Sequence, residues 1–269
     1  MNNEPFVLGL IKATKVKHGK NMYEHGQIKF GVPKEWEEQG KKYGQGQGDI
    51  FEGTIATVCC DETETIHHWN KIPDFYTLQI GNKVYLKNKR SMQLPCFCAY
   101  ILTDKMLSKP TDIGEQTLTG EIPPEYFRDF ASNLTVTQIE KLPYLEQPAI
   151  VYIKDLFEFE KRLRKYLIEY VGVQAKDIIT RQVEYVEWDE PVTETYIECP
   201  LELFFKDKQF SHQQEWRVII NTDDEEVKKR LLSKPIAIGT LESIAYFKDG
   251  YLKDGISIEV DALIKRKGD

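Results

Sequence analysis

The stretch FSHQQEWRVII, residues 210–220, sets Gln213, Gln214 and Glu215 at the head of an apolar run that reads as a buried strand. A carboxylate held at a strand mouth can accept a hydrogen bond from a sugar hydroxyl, and it can stabilise positive charge developing on the sugar as a glycosidic bond loosens. Glu215 also has a plainer role open to it, as a solvated strand-start residue or the partner of Arg217 on the same face. His18-Gly19 is a second candidate. Glycine lets the backbone approach a flat ligand while the imidazole donates to a ribose hydroxyl or an amide, although a lone histidine reads as well as a solvent-facing or core residue.

Other groups are weaker. GQGQGDIFEGT, residues 44–54, lacks the Lys-Ser/Thr ending of a phosphate loop and does not follow a strand as a dinucleotide fingerprint should. It leaves Asp49 and Glu52 to bind a metal or to cap turns, in a loop able to cover a ligand. His67-His68, near Asp61, Glu62 and Glu64, would point to opposite faces of a strand and cannot share one ion, so no metal site is expected. No serine elbow or cysteine-hydrolase signature is present. Arg181, Arg217 and the run Lys87 to Arg90 are cations able to contact phosphates or to form a solvated face.

The elements that must position these groups are read from periodicity. FVLGLIKATKV is a strand that delivers His18-Gly19 at its end, NMYEHG a short amphipathic turn, QIKFGV a strand, and KEWEEQGKKY a helix opened by Pro33. FEGTIATVCC, the hairpin FYTLQIGNKVYLKN and the run SMQLPCFCAYIL, which Pro95 delays, supply further strands. Residues 103–124, rich in Pro, Thr, Gly and Asp, read as a surface connection and mark the lobe boundary if the chain has two lobes. PPEYFRDFAS reads as a short helix and AIVYIK as a strand. The apolar stripe at 156, 159, 163, 167 and 170 predicts an amphipathic helix from Asp155 to Gly172. IITRQVEYVEW, ELFFKDKQF, EWRVII, PIAIG, SIAYF and GISIEV read as strands, with the helix DDEEVKKRLLS among them. The expectation is one α+β domain over 1–269, with mixed, mainly antiparallel sheets.

Composition narrows the function classes. With 43 acidic against 36 basic residues and a net charge of −7, the chain lacks the broad electrostatic footprint of a nonspecific duplex binder. No apolar run is long enough to span a membrane and MNNEPFVLGLIK has no leader pattern, so a cytoplasmic protein without membrane contact is expected. The five cysteines have no zinc-finger spacing and read as reduced core thiols.

In chain order, these pieces resemble ADP-ribosyltransferases of the toxin or DNA-targeting type. KHGKNMYEHGQIKFG, residues 17–31, is similar to that family's first strand ending in His or Arg, its short helix and its second strand, and QQEWRVII to its late Q-x-E step. The resemblance implies an ADP-ribosyltransferase-like core and NAD as substrate. It makes Glu215 the catalytic glutamate, Gln213 the substrate-orienting residue, and His18 with Gly19 the first nicotinamide-nucleotide contact. For the family's middle Ser-Thr-Ser or tyrosine, the chain offers Ser91 and Tyr100 within RSMQLPCFCAY as imperfect substitutes. The chain also resembles bacterial and phage proteins, some from antiviral defence loci, that share a GD-x-x-EG step and a later F-x-K-x-x-x-F-x-x-Q-x-E-[WY]-R step. Here these are GDIFEG and FKDKQFSHQQEWR. The expected function is NAD-dependent transfer of ADP-ribose to a macromolecule or to water, by a toxin or defence effector with a cognate antitoxin or defence partner. Two alternatives stay open: a non-catalytic sensor of a nucleotide or phage component, and a metal-dependent nuclease using Asp49, Glu52 and Glu215.

Overall fold

The structure, a computed structural model, describes residues 6–43, 48–106, 115–122, 134–187, 199–249 and 256–263, with 115–122 and 256–263 as backbone. Its elements in chain order are β1 (Val7–Lys15), α1 (Val16–His25), β2 (Gln27–Ile28), α2 (Pro33–Tyr43), β3 (Thr54–Cys59), α3 (Thr63–Trp69), β4 (Phe75–Ile80), β5 (Lys83–Asn88), β6 (Cys96–Thr103), β7 (Glu115–Ile122), α4 (Val136–Glu140), β8 (Pro148–Ile153), α5 (Leu156–Tyr166), β9 (Ile178–Gln182), β10 (Glu184–Val186), β11 (Phe205–Asp207), β12 (Glu215–Ile220), α6 (Glu225–Ser233), β13 (Ile236–Ala237), β14 (Ala245–Asp249) and β15 (Ile256–Leu263). The architecture is mixed α and β with mainly antiparallel sheets. A six-stranded sheet runs β14-β8-β1-β6-β12-β9, every neighbouring pair antiparallel, and a three-stranded sheet runs β3-β5-β4.

Period-two alternation in β12 divides the two faces of the main sheet. Trp216, Val218 and Ile220 join Phe159, Leu163 and Leu167 of the α5 region in the principal apolar core, while Ile219 packs with Met92, Leu94, Leu203 and Phe204. Helix α5 is anchored by Asp155, whose side chain accepts from the Glu158 N–H at 2.9 Å. It ends in a π turn, Leu167–Val171, before left-handed Gly172. The wider turn shifts the phase of the stripe, so Val171 is buried and Tyr170, expected inside, is 66% exposed.

Two strands come apart where the chemistry is expected. β1 pairs with β6 only as far as Ile11 opposite Tyr100, whereas its pairing with β8 continues to Lys15. Beyond Ile11, β6 keeps β12 on one side, and on the other it meets only Gly31 among the described residues, which exchanges hydrogen bonds with Cys96 at 2.8 and 3.0 Å. Lys12 bridges the gap by donating to the Cys98 carbonyl at 2.6 Å.

Several expectations are corrected. His18-Gly19 does not end the first strand; β1 stops at Lys15 and both residues lie in α1, because Val16, Gly19 and Met22 recur at helical spacing and are buried. ELFFKDKQF is strand only at β11. 3-10 turns occupy Leu201–Phe204 and Lys208–Gln213, the second initiated by Asp207, which accepts from the Gln209 N–H at 3.0 Å. IITRQVEYVEW breaks at Val183, whose N–H turns to the Glu215 carbonyl, and β10 then pairs in parallel with β11. His67 and His68 lie on α3 rather than on a strand. The connection at 103–124 contains β7, paired with β15. Cys59 and Cys60 are exposed rather than core thiols, and all five cysteines are free. The helix expected for PPEYFRDFAS lies outside the described residues. Among the described residues, no helix is long and apolar enough to cross a membrane.

Candidate functional site

The wedge between β1 and β6 opens into a cleft of about 810 Å³. Lys12 and Thr14 of β1 and His18 and Asn21 of α1 line it, as do Asp49, Glu52, Lys206, Gln213, Glu215 and Arg217 from later in the chain. His18 and Glu215, distant in sequence, therefore share one concavity.

Within the cleft lies a buried ionic chain. The Arg217 guanidinium is 1% exposed and donates to both Glu52 oxygens, to the Leu203 carbonyl, and through Nε to Glu215 Oε2 at 2.8 Å. Arg217 Nη2 approaches the same Glu215 oxygen at 2.7 Å. Lys206 Nζ donates to Glu215 Oε1 and to Gln213 Oε1, each at 2.5 Å. Trp36 covers the guanidinium with its ring centroid at 5.6 Å, and Phe210 lies 5.0 Å from the Lys206 ammonium. The GD-x-x-EG step and the Q-x-E-W-R step, separated by most of the chain, are thus joined through the Glu52–Arg217 pair.

Local sequence explains how each group is delivered. A Cβ on Gly48 would lie 2.1 Å from the Gly40 nitrogen and 2.2 Å from the Trp36 carbonyl oxygen, so only glycine lets this loop pass against α2. Asp49 Oδ1 then accepts from the Phe51 N–H at 2.8 Å, forming the turn that sends Glu52 back towards Arg217. At the other motif, Gln214 has φ +38°, the only positive value at a non-glycine position among the described residues. This left-handed residue ends the 3-10 turn and begins β12, and Gln213 and Glu215 on either side of it both line the cleft.

The electrostatics follow from burial and pairing. Burial alone would raise the Glu215 pKa, but Arg217 and then Lys206 overcome it and hold the carboxyl at about 2, so it is ionised at neutral pH. A carboxylate offers about four lone-pair positions. Lys206 uses one on Oε1 and the Arg217 Nε–H one on Oε2, with Nη2 in ionic contact at the same oxygen, which leaves a position open on Oε1. Asp49 behaves in the opposite way. Burial raises its pKa, with Lys206 opposing and Glu52 reinforcing, to about 7. Its Oδ2 is buried and has no hydrogen-bond partner among the described residues. Desolvation, followed by Lys17 and Lys15, lowers the His18 pKa, so its imidazole is mainly neutral at pH 7.

Of the sequence-selected residues, His18, Asp49, Glu52, Gln213, Glu215 and Arg217 come together at the cleft, and Gly19, Ser91 and Tyr100 do not line it. Gly19 packs beneath Phe247, where a Cβ would meet the ring at 2.8 Å. Ser91 is buried with its Oγ 2.7 Å from Cys199 Sγ. Tyr100 lies opposite Glu215 across the sheet, but its hydroxyl donates to Met106 Sδ at 3.7 Å and it borders a separate hollow of about 400 Å³. Among the described residues, no group of three or more His, Cys, Asp or Glu side chains could hold a metal ion. Glu52 and Glu215 are instead engaged by Arg217 and Lys206. Sequence reasoning gave no role to Lys12 or Lys206. Lys206 stands in the quoted F-x-K step, and Lys12 is a charged residue inside the apolar strand VLGLIKATK.

Comparison with known proteins gave no match: no family model, no curated protein and no solved structure is significantly similar to this chain.

Proposed function

We propose that the cleft binds NAD and that the protein transfers ADP-ribose from it to a macromolecule or to water. The observation that supports this reading is the convergence of His18, Gln213, Glu215 and Arg217 on one cavity of about 810 Å³, within the size range of small-molecule sites. The bond between ribose C1′ and the nicotinamide nitrogen breaks with both electrons leaving on the ring, which departs as neutral nicotinamide. The acceptor oxygen or nitrogen bonds to C1′ and gives up its proton to solvent water. Glu215, held ionised, stabilises the positive charge that builds on the ribose, and its remaining Oε1 lone pair receives a ribose hydroxyl. Gln213 orients the acceptor, and neutral His18 contacts the nucleotide from α1.

The test is nicotinamide release from NAD by the purified chain. Glu215→Gln is expected to lower the rate about 10²- to 10³-fold, the usual cost of removing one electrostatic stabiliser. Release undiminished in a folded Glu215→Gln variant removes that residue from the mechanism. A growth defect on expression, relieved by the same substitution, fits an effector directed against a cell or a phage-infected host.

One observation favours a second reading. Both Glu215 oxygens already serve Lys206 and Arg217, an arrangement that also suits a nucleotide sensor without turnover. Thermal stabilisation by NAD with no nicotinamide formed selects that reading.

A further inference from the structure

The buried charges around the cleft are unevenly matched. Glu52 and Glu215 are satisfied by Arg217 and Lys206. Lys12 is different: among the described residues its one hydrogen-bond acceptor is the Cys98 carbonyl, with the Phe97 ring centroid 5.1 Å away. An ammonium has three donors, so two remain unused. Lys12 is half-buried and has no carboxylate in contact among the described residues, and desolvation lowers its pKa, although Cys98 and Glu215 oppose the shift. Lys12 stands where the backbone ladder between β1 and β6 has ended, so its free donors border open cleft. Beside it on β1 and α1, the half-buried Thr14 and Asn21 also line the cleft. One wall therefore offers a cation and two neutral polar side chains, while Glu52 and Glu215 are held by Arg217 and Lys206.

We infer that this wall is an anion site, in which Lys12, supported by Thr14 and Asn21, holds the diphosphate of a nucleotide ligand. The choice of a nucleotide rests on the reading proposed above; the anion site itself requires only phosphate oxygens. A diphosphate accepts the two free ammonium hydrogens in charge-assisted bonds and supplies the negative charge that the Lys12 environment lacks. The Cys98 carbonyl keeps the third hydrogen and fixes the ammonium in place.

The experiment is calorimetric titration of the full chain at low salt with inorganic pyrophosphate, ADP-ribose and adenosine. Lys12→Gln keeps an amide donor for the Cys98 carbonyl while removing the charge, and Lys12→Arg keeps the charge; circular dichroism and thermal unfolding establish that each variant is folded. Pyrophosphate is expected to bind the native chain and to compete with ADP-ribose. Lys12→Gln should weaken both about 10- to 100-fold, the range for hydrogen bonds to charged groups, leave adenosine unchanged, and be partly rescued by Lys12→Arg. Failure of the native chain to bind pyrophosphate, or equal weakening of adenosine and ADP-ribose, overturns the anion site. Lys12-dependent pyrophosphate binding without nicotinamide release upholds the site and overturns the transferase reading. Nicotinamide release that pyrophosphate does not inhibit and Lys12→Gln does not slow upholds that reading and overturns the site.

Discussion

Replacing Arg217 with methionine tests the ionic chain directly. Methionine retains an unbranched stem against Trp36, so the loss is concentrated on the charge. In the native chain the guanidinium serves both Glu52 oxygens, Glu215 Oε2 and the Leu203 carbonyl while only 1% exposed. Without it, Lys206 alone faces two buried carboxylates. Removing one partner of a buried pair costs about 3–5 kcal/mol, a large part of the roughly 5–15 kcal/mol that holds a typical domain folded. Urea unfolding at pH 7 should show the extrapolated stability lowered by that amount, through a lower midpoint with an unchanged slope. The cost should also depend on pH. In native protein, Glu215 is held at about 2, so the stability it confers is present above the ordinary glutamate pKa and fades only as pH falls towards 2. In Arg217→Met only Lys206 is left to oppose burial, so the Glu215 pKa rises from its native position. The folded variant then takes up a proton at a higher pH than the folded native chain, and its deficit shrinks as pH falls from 7. Glu52→Gln added to Arg217→Met should recover part of the loss at pH 7. A cost below about 1 kcal/mol, the scale of a surface pair, or a cost independent of pH, refutes the reasoning.

Two other predictions concern neighbouring residues. Asp49, raised to about 7 by burial, holds a proton when folded that the unfolded chain has released, so its contribution is fully present below about pH 4 and is lost as pH rises towards 7. Asp49→Asn should therefore gain melting temperature relative to native protein as pH goes from 5 to 8, and a constant difference would show that Asp49 ionises normally. At Gln214, held at φ +38°, glycine should be tolerated within about 1 kcal/mol, whereas valine should cost about 1–2 kcal/mol from left-handed strain; similar unfolding midpoints for the two variants would remove strain as the explanation.

Elements governed by local rules were legible in the sequence. Pro33 opened α2, Asp155 and Gly172 bracketed the α5 region, and Pro95 delayed β6 until Cys96. Elements decided by competition between neighbours were not. The π turn moved the inward position from Tyr170 to Val171, and no apolar periodicity encodes an inserted residue. Asp207 diverted an apolar stretch from strand to 3-10 turn through one side-chain bond. At the site, Glu215, Gln213, Arg217 and His18 were visible as residue types beside a strand or a glycine. That Glu215 would be bound by Lys206 and Arg217 required the tertiary structure, because Lys206 reaches it from a separate short strand. The role of Lys12 depended on two strands separating, an event set by pairing partners rather than by VLGLIKATK itself.

The clasp between Glu52 and Arg217 spans 165 positions, which has a consequence during synthesis. While the chain is emerging from the ribosome, Glu52 waits for a counter-charge that is translated 165 positions later. A nascent polypeptide that has not reached Arg217 cannot close this clasp, so the cleft takes its final form only after that residue has emerged.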